Sequence, residues 1–267
     1  MTLTHNIGII GLGFVGEAIR SNCDWGGNTI CIDSDARKGH VGTYAEIVNC
    51  EGIFICVPSP MRQDGSCDTS ILESVLEKLK DYRGVIISKV TAPPDVYQRL
   101  NKQYPNLVHS PEFLTAANAN RDYGNATWCI IGGDVRAYRN EAERIIKMTQ
   151  SNLQTVKFCS IGDASLAKYA INNFLATKVV FMNELHQLAN KAGLNYDVVA
   201  NLINQDSRIG SSHMRVPGPD GAFGFGGYCF PKDTESLLKF AEDQQADLSL
   251  IKTAVQKNLL LRLTQPK

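Results

Sequence analysis

The chain has 267 residues, 43% of them hydrophobic and 20% charged, and its 27 basic residues are balanced by 27 acidic ones. A neutral chain has no bulk attraction to nucleic acid or to anionic lipid, so we expect neither as a partner. Net charge leaves open a local basic pocket for a phosphate. The length and composition are typical of a globular protein with one large domain or two modest ones.

The cysteine pattern and the apolar runs indicate a cellular compartment. No apolar run approaches the length of a membrane span, and residues 1–5 lack the basic stretch and cleavage site of a secretory leader. Eight cysteines are scattered without CxxC pairs or a histidine cluster. That pattern is typical of reduced thiols, not of a disulfide framework or a zinc site. We therefore expect a cytoplasmic protein without a bound metal.

Strand and helix patterns alternate over the first 160 residues. The predicted strands are NIGII (6–10), TICID (29–33), GIFICVP (52–58), GVIISKV (84–90), LVHS (107–110) and TWCIIGG (127–133). The predicted helices between them lie at 13–22, 70–82 and 136–150. Strands that alternate with helices predict an α/β fold with a Rossmann-type parallel sheet and right-handed crossovers.

The pattern changes near residue 163, where a helix begins that meets no Gly or Pro until about residue 192. Further helices are predicted at 195–205, 234–242 and 248–263. We therefore expect an α/β domain over 1–160, followed by a mostly helical domain with a long core helix over 161–267. The glycine-rich stretch 206–232 has no regular pattern, which is typical of a functional or disordered loop.

The first strand ends in a glycine-rich turn, GLGFVG. Gly11, Gly13 and Gly16 form the pattern GxGxxG between a strand and a helix. The first glycine permits the tight turn, the second lets the backbone approach a pyrophosphate, and the third lets the helix pack closely on the strand. Free N–H groups at the helix N-terminus would bind the phosphates. The turn predicts a dinucleotide site.

An acidic residue supports that interpretation. Asp33 closes the second strand, 22 residues after Gly11, where a carboxylate accepts a hydrogen bond from a ribose 2′-hydroxyl. A carboxylate repels a 2′-phosphate, so NAD is favoured over NADP, although Arg37 and Lys38 nearby keep NADP open. The alternative is that the glycines are simple turn residues and Asp33 is a solvated strand end.

A cysteine in the segment FGFGGYCFPKDT is the candidate nucleophile. Cys229 follows a flexible Gly226–Gly227 pair and precedes Pro231-Lys232-Asp233, which is expected to open a helix. A thiol near a helix N-terminus and a lysine ionises more easily, and the thiolate is the reactive form. The alternatives are that Asp233 is an N-cap and that Cys229 is a small buried hydrophobe, as we interpret the other seven cysteines.

Polar side chains elsewhere are further candidates. Lys168 and Asn172 lie one turn apart on the long helix, among apolar positions. The alternative for them is a solvated lysine and an exposed asparagine. Glu112 in SPEFL and Thr91 in KVTAPP follow predicted strands, at the sheet edge where α/β folds bind ligands.

Together these segments resemble the UDP-glucose/GDP-mannose dehydrogenase family, in the family's order, from residue 6 to about 260. The matching segments are GIIGLGFVG, CVPSP with a following DTS, VTAPP, SPEFL, LAKYAINNFLATKVVFMNEL, SRIGSSHM and GFGGYCFPKDT. The last of them is highly specific. It favours the interpretation of Cys229 as a nucleophile.

The resemblance implies a role for each matching residue. The implied catalytic residues are Cys229, Lys168, Asn172, Asp233, Glu112 and Thr91. The implied substrate-binding residues are Glu112, Phe113, Leu114, Lys168, Asn172, Arg208, Phe223, Gly226 and Tyr228. The implied cofactor-binding residues are Gly11, Gly13, Phe14, Val15, Gly16, Asp33, Arg37, Ser59, Thr91 and Lys232. In the family the arginine that matches Arg208 reaches across a dimer interface, so we expect a homodimer.

The implied reaction is a twofold oxidation of a primary alcohol on a nucleotide sugar to the carboxylate, with two NAD. Cys229 would trap the aldehyde as a thiohemiacetal, which is then oxidised to a thioester. The segments GFGGYC and SRIG look more like the branch that acts on UDP-glucose, so we expect UDP-glucose as the substrate and UDP-glucuronate as the product.

Three features depart from the family pattern. Members of the family continue into a second Rossmann-like domain that holds much of the nucleotide, whereas this chain ends at Lys267. The stretch RVPGPDGAF looks longer than usual, and Ser59 replaces a threonine. Two alternatives therefore stay open: a truncated NAD-binding or regulatory partner with little turnover, and a two-electron hydroxyacid dehydrogenase. The second needs no cysteine, so Cys229 speaks against it.

Overall fold

A computed structural model describes residues 6–23, 28–38 and 42–264 of the chain. Residues 1–5, where we expect no leader, lie outside the described residues. The chain divides into two compact units. The first consists of Met1–Arg62 with Cys67–Lys168, and the second of Gln63–Ser66 with Tyr169–Lys267.

The first unit contains a sheet with helices on its two faces. Its strands are β1 (Asn6–Ile10), β2 (Asn28–Ile32), β3 (Gly52–Ile55), β4 (Val85–Ser88), β5 (Leu107–His109), β6 (Trp128–Gly132) and β7 (Thr155–Cys159). Its helices are α1 (Phe14–Ser21), α2 (Tyr44–Ile47), α3 (Ser70–Lys78), α4 (Pro94–Gln103), α5 (Ala119–Gly124) and α6 (Arg136–Thr149). A long helix, α7 (Ile161–Lys191), begins in this unit and continues into the second.

The seven strands lie in the order β2-β1-β3-β4-β5-β6-β7. All neighbouring pairs are parallel except β5 and β6, which pair antiparallel through His109 and Gly132. The predicted α/β class with a Rossmann-type sheet and a long core helix is confirmed. The antiparallel pair departs from the predicted all-parallel sheet. Strand β6 starts at the end of the sheet where β5 finishes, so the connection between them need not return to the opposite end.

The central strands are apolar because the sheet is buried on both faces. Successive side chains of a strand point to opposite faces. Ile53 and Ile55 therefore join one apolar cluster, with Ile86, and Phe54 joins the other, with Ile87. A strand that is covered on both sides reads as a continuous apolar run, which made β3 and β4 recognisable in the sequence.

The second unit is helical. Besides the later part of α7 it contains α8 (Tyr196–Ile203), α9 (Cys229–Asp243) and α10 (Ser249–Arg262). Helix α9 begins five residues before the predicted start at Thr234, because Pro231 lies in the first turn, where its missing N–H breaks no helical hydrogen bond. Among the described residues no helix combines the length and apolar character that crossing a membrane requires.

A buried histidine lies at the end of β5. The His109 ring stacks on Tyr97, with 4.2 Å between the ring centroids, and its Nδ1 lies 3.1 Å from the carbonyl oxygen of Ser88. Its Nε2 is buried and has no hydrogen-bond partner among the described residues. Burial disfavours the charged imidazolium and lowers the pKa of His109 from 6.5 to about 3.

We expect this histidine to make the protein sensitive to mild acid. Below its ordinary pKa of 6.5 the unfolded chain binds a proton that the folded chain excludes down to a pKa of about 3. The contribution of His109 to the free energy of unfolding is therefore fully present above pH 6.5 and falls by about 1.4 kcal/mol per pH unit between pH 6.5 and about 3. Urea unfolding at several pH values measures this slope. The variant His109→Gln should reduce the slope, and equal slopes in both proteins would contradict the assignment.

Candidate active site

The glycine turn after β1 has two glycines at which a Cβ would collide with the backbone and one at which a Cβ would meet open space. Gly11 has φ +94°, and a Cβ there would lie 2.8 Å from the backbone of Cys56. A Cβ on Gly16 would lie 1.9 Å from the carbonyl oxygen of Gly11. A Cβ on Gly13 would meet no atom within 4 Å. The two crowded glycines are required by the backbone, whereas Gly13 leaves open space at the start of α1.

The first turn of α1 is available to an anion. Gly13 occupies the N-cap position, and no side chain of the described residues caps this turn. Phe14 and Val15 follow in the first turn, and the Phe14 side chain is exposed. Uncapped N–H groups at a helix N-terminus bind phosphates, and the open space at Gly13 gives a pyrophosphate room to approach.

Asp33 lies directly beyond β2 and is tied to the glycine turn. Its carboxylate accepts hydrogen bonds from the backbone N–H of Leu12, at 2.6 Å, and of Asp35, at 2.8 Å. The Lys38 ammonium lies 3.5 Å away. Burial opposes ionisation, but the two N–H groups and Lys38 outweigh it and lower the pKa of Asp33. Arg37 is exposed and pairs with Asp35. An ionised carboxylate beside the open turn fits the ribose of NAD.

Glu112 and Lys168 form a buried ion pair in the first unit. The Lys168 ammonium donates to the Glu112 carboxylate at 3.0 Å and to the Glu112 carbonyl oxygen at 2.6 Å. The side chains are only 4% and 9% exposed. Leu114 donates its N–H to the second carboxylate oxygen at 2.7 Å, and the Phe113 ring centroid lies 5.3 Å from the ammonium. The solvated lysine considered above is therefore wrong for Lys168.

Ser59 and Thr91 lie together in the first unit. The buried Ser59 hydroxyl donates to the carbonyl oxygen of Thr91 at 2.8 Å, and the Cys67 thiol lies 3.5 Å from the same oxygen. Thr91 itself is half-buried. The serine therefore fixes the backbone of the segment that follows β4.

A second polar group lies in the helical unit. Asn172 donates its side-chain N–H to one carboxylate oxygen of Asp233 at 2.6 Å, and the Lys232 ammonium donates to the other at 2.5 Å. Asp233 is 1% exposed, and Asn172 and Lys232 are also buried. The exposed asparagine considered above is therefore wrong. So is the N-cap role for Asp233, because Tyr228 occupies the N-cap position of α9.

Cys229 is the first residue of α9. It is partly exposed and follows Gly227, whose φ of +75° turns the chain into the helix. The N–H groups and the dipole at a helix N-terminus stabilise negative charge. The eight cysteines, which all lie within the described ranges, form no disulfide. Burial raises the pKa of Cys50 to about 11 and of Cys56 to about 12.

The remaining predicted substrate residues of the second unit are spread over different surroundings. Arg208 is exposed and pairs with Asp206 at 2.6 Å. Tyr228 is 55% exposed. Phe223 packs against the apolar cores of the unit, and a Cβ on Gly226 would lie 2.9 Å from the Arg262 guanidinium. Phe223 thus contributes to packing, whereas Arg208 and Tyr228 face solvent.

The sequence reasoning missed a buried lysine at the end of β4. The Lys89 ammonium donates to the Ser110 hydroxyl at 3.0 Å, and burial lowers the pKa of Lys89. It lines a cavity of about 140 Å³ with Glu112 and Phe113. A lysine within the otherwise apolar segment GVIISKV was the available signal. Within the described ranges no group of three or more His, Cys, Asp or Glu residues could hold a metal.

Two family domains match the chain. Residues 39–150 match the NAD binding domain of the UDP-glucose/GDP-mannose dehydrogenase family. Residues 162–259 match the central domain of the same family.

Individual relatives agree with this. The UDP-glucose 6-dehydrogenase of Rhizobium meliloti is 30% identical over 301 aligned residues, which cover 94% of this chain and 67% of the relative. That of Rickettsia felis is 31% identical over 80% of this chain and 48% of the relative. The chain thus spans about half to two thirds of the length of these relatives. The structure of a UDP-glucose dehydrogenase from Pyrobaculum islandicum superposes with a TM-score of 0.80 at 23% identity, covering 97% of this chain and 69% of that one.

The glycine turn generates a prediction with a matched control. We expect Gly13→Ala to leave the free energy of unfolding within about 0.5 kcal/mol, because its methyl group meets no protein atom. The same methyl group enters the open space at the start of α1 and should weaken NAD binding roughly tenfold or more. Gly16→Ala should lower both stability and NAD affinity, because its methyl group meets a backbone oxygen. Calorimetric titration with NAD and urea unfolding separate the two effects. Equal NAD affinity in Gly13→Ala and the parent would contradict this assignment.

Proposed function

Because the chain belongs to the UDP-glucose/GDP-mannose dehydrogenase family, we propose that it oxidises the primary alcohol of a nucleotide sugar to the carboxylate with NAD. UDP-glucose is the proposed substrate and UDP-glucuronate the product. The observation that carries the proposal is the buried group of Asn172, Asp233 and Lys232, built around the helix whose first residue is Cys229. A packing role alone gives no reason to bury a carboxylate with two polar partners one helical turn from a thiol.

Most of the residues that would hold NAD belong to the first unit. The glycine turn and the first turn of α1 would bind the pyrophosphate, and Asp33 would bind the ribose. Ser59, Thr91 and Lys232 are proposed as further cofactor contacts. NAD, when bound, accepts the hydride in each of the two oxidations.

The first oxidation requires removal of the hydroxyl proton. We assign Lys168 and Asp233 to the ordering of a water that takes this proton. The product aldehyde is then attacked by the Cys229 thiolate, whose sulfur forms a bond to the carbonyl carbon. The negative charge that develops on the carbonyl oxygen is stabilised by the Lys168 ammonium and the Asn172 amide.

The second oxidation starts from this thiohemiacetal. Loss of its hydride and of its hydroxyl proton leaves a thioester on Cys229. Water, oriented by Glu112, adds to the thioester carbon, and the carbon–sulfur bond breaks to release the carboxylate and the thiol. Because the aldehyde stays bonded to sulfur, it is retained between the two oxidations.

The test is to count the NADH formed per sugar consumed, with purified protein, NAD and UDP-glucose. We expect two NADH per sugar, and Cys229→Ser should lower carboxylate formation by roughly a thousandfold or more while NAD affinity is unchanged. Cys159→Ser, which changes a partly exposed cysteine of β7, is the matched control and should retain activity. Normal NAD binding without turnover of UDP-glucose or GDP-mannose would reject the proposal and favour an NAD-binding partner.

A homodimer is part of the proposal. Phe174, Phe181 and Leu188 on α7 are 68%, 54% and 61% exposed. Their spacing of seven residues places them along one face of the helix. A row of exposed large apolar side chains is typical of an interface, and the same row on a second copy is its natural partner in a twofold dimer.

We expect Phe181→Glu to convert the dimer to a monomer, because it would place two charges in an apolar contact. Sedimentation equilibrium at micromolar concentration measures the mass. Lys191→Glu, at an exposed position of the last turn of α7, is the control and should leave the mass unchanged. A monomeric parent protein would refute the dimer, and with it a contribution of Arg208 across the interface, but not the proposed steps at Cys229.

A further inference from the structure

A buried lysine of α7 contacts the loop that carries Arg208. Lys178 is 8% exposed, and its ammonium donates to the carbonyl oxygens of Ile209, at 3.1 Å, and Gly210, at 2.8 Å. None of the described carboxylates pairs with it. Burial lowers the pKa of Lys178. A buried ammonium that lacks a carboxylate is costly, so these two carbonyl oxygens are its essential acceptors.

The carbonyl oxygens belong to a tight turn. Ile209 donates its N–H to the carbonyl oxygen of Asp206 at 3.0 Å, and Gly210 follows with φ +73°. Arg208 lies between Asp206 and Ile209 in the sequence. Its side chain is 86% exposed and forms an ion pair with Asp206. The Arg208 guanidinium therefore lies on the solvent side of the turn. Lys178 holds the end of the turn through its hydrogen bonds to Ile209 and Gly210.

His213 and Met214, further along the loop, make separate contacts with the helices of the unit. The His213 ring centroid lies 5.4 Å from that of Phe230, the neighbour of Cys229 in α9. Tyr196 donates its hydroxyl to the carbonyl oxygen of Met214 at 2.6 Å. His213 has φ +63° and a buried Nδ1 without a partner among the described residues. Such a strained residue persists only where the surrounding contacts hold it.

We propose that Lys178 is a positioning residue, whose buried ammonium holds the 206–213 segment so that Arg208 is ready to bind the nucleotide sugar. The role of Arg208 is the one that the family resemblance implies, and it rests on the proposed function. The contact of Lys178 with the segment does not. The charge of Lys178 thus contributes to substrate binding without touching the substrate.

A purely structural role for Lys178 makes a different prediction. Loss of a packing residue would lower stability and leave the loop as ordered as before in the molecules that remain folded. Loss of a positioning residue increases local opening of the loop at little change in global stability. It also raises the KM for the nucleotide sugar more than it changes kcat.

The experiment compares the parent chain with Lys178→Met, which keeps the unbranched stem and removes the donors. Hydrogen exchange at the amides of residues 207–213 should accelerate by about tenfold or more, while the helices of the unit stay protected. Lys191→Met, at an exposed lysine of the same helix, is the control and should exchange like the parent. Lys178→Arg retains two N–H donors and should restore most of the protection.

Turnover provides the second measurement. Lys178→Met should raise the KM for UDP-glucose by about tenfold, with kcat and the KM for NAD within about twofold. Arg208→Met should have a similar effect, and the double variant should be less than additive, because both changes remove the same contact.

The outcomes are distinguishable. Unchanged exchange in Lys178→Met, or equal loss in Lys178→Met and Lys178→Arg, would overturn the proposal. Faster exchange with an unchanged KM would overturn the link to the substrate. A parent protein without turnover would refute the proposed function, while the exchange comparison would still decide whether Lys178 holds the segment.

Discussion

An ammonium group can be buried only where oxygen atoms replace the water it loses, and this constraint shapes the surroundings of α7. Lys168 takes a carboxylate and a carbonyl oxygen from Glu112. Lys178 takes two carbonyl oxygens, from Ile209 and Gly210. In each case a segment without regular structure bends so that its oxygens meet a side chain of the helix. The helix therefore determines the conformation of two loops, one in each compact unit.

Strands and helices were predictable from the sequence where burial gives them a recognisable run or period of apolar residues. Elements that lack such an apolar pattern were not predicted. Strands β1, β3 and β4 are covered on both faces and read as apolar runs. Strand β7, at the edge of the sheet, is largely exposed and left no such run. Helix α4 was missed because it begins at Pro94, and paired prolines suggest a loop, although proline is well suited to the first turn of a helix.

The candidate residues were identifiable from the sequence, but their partners were not. Residue type and motif pointed to Lys168, Asn172 and Asp233. Nothing in the sequence pairs Lys168 with Glu112, 56 residues away, or Asn172 with Asp233, 61 residues away. Such contacts depend on how helices and loops pack, and a one-residue shift of α9 would turn Asp233 by about 100°. For the same reason the contact of Lys178 with Ile209 and Gly210 could not be predicted, because Lys178 belongs to no motif.

The position of Asp33 has a consequence for attempts to redesign the cofactor preference. The usual route to NADP is to replace the acidic residue with a small or basic one, which removes its repulsion of the 2′-phosphate. Here the carboxylate also accepts the N–H groups of Leu12 and Asp35, so an alanine would leave two amides without acceptors at the glycine turn. A redesigned site must keep a side-chain oxygen at this position and place its new positive charge elsewhere, near Lys38, whose ammonium lies 3.5 Å from the carboxylate, and Arg37, which pairs with Asp35.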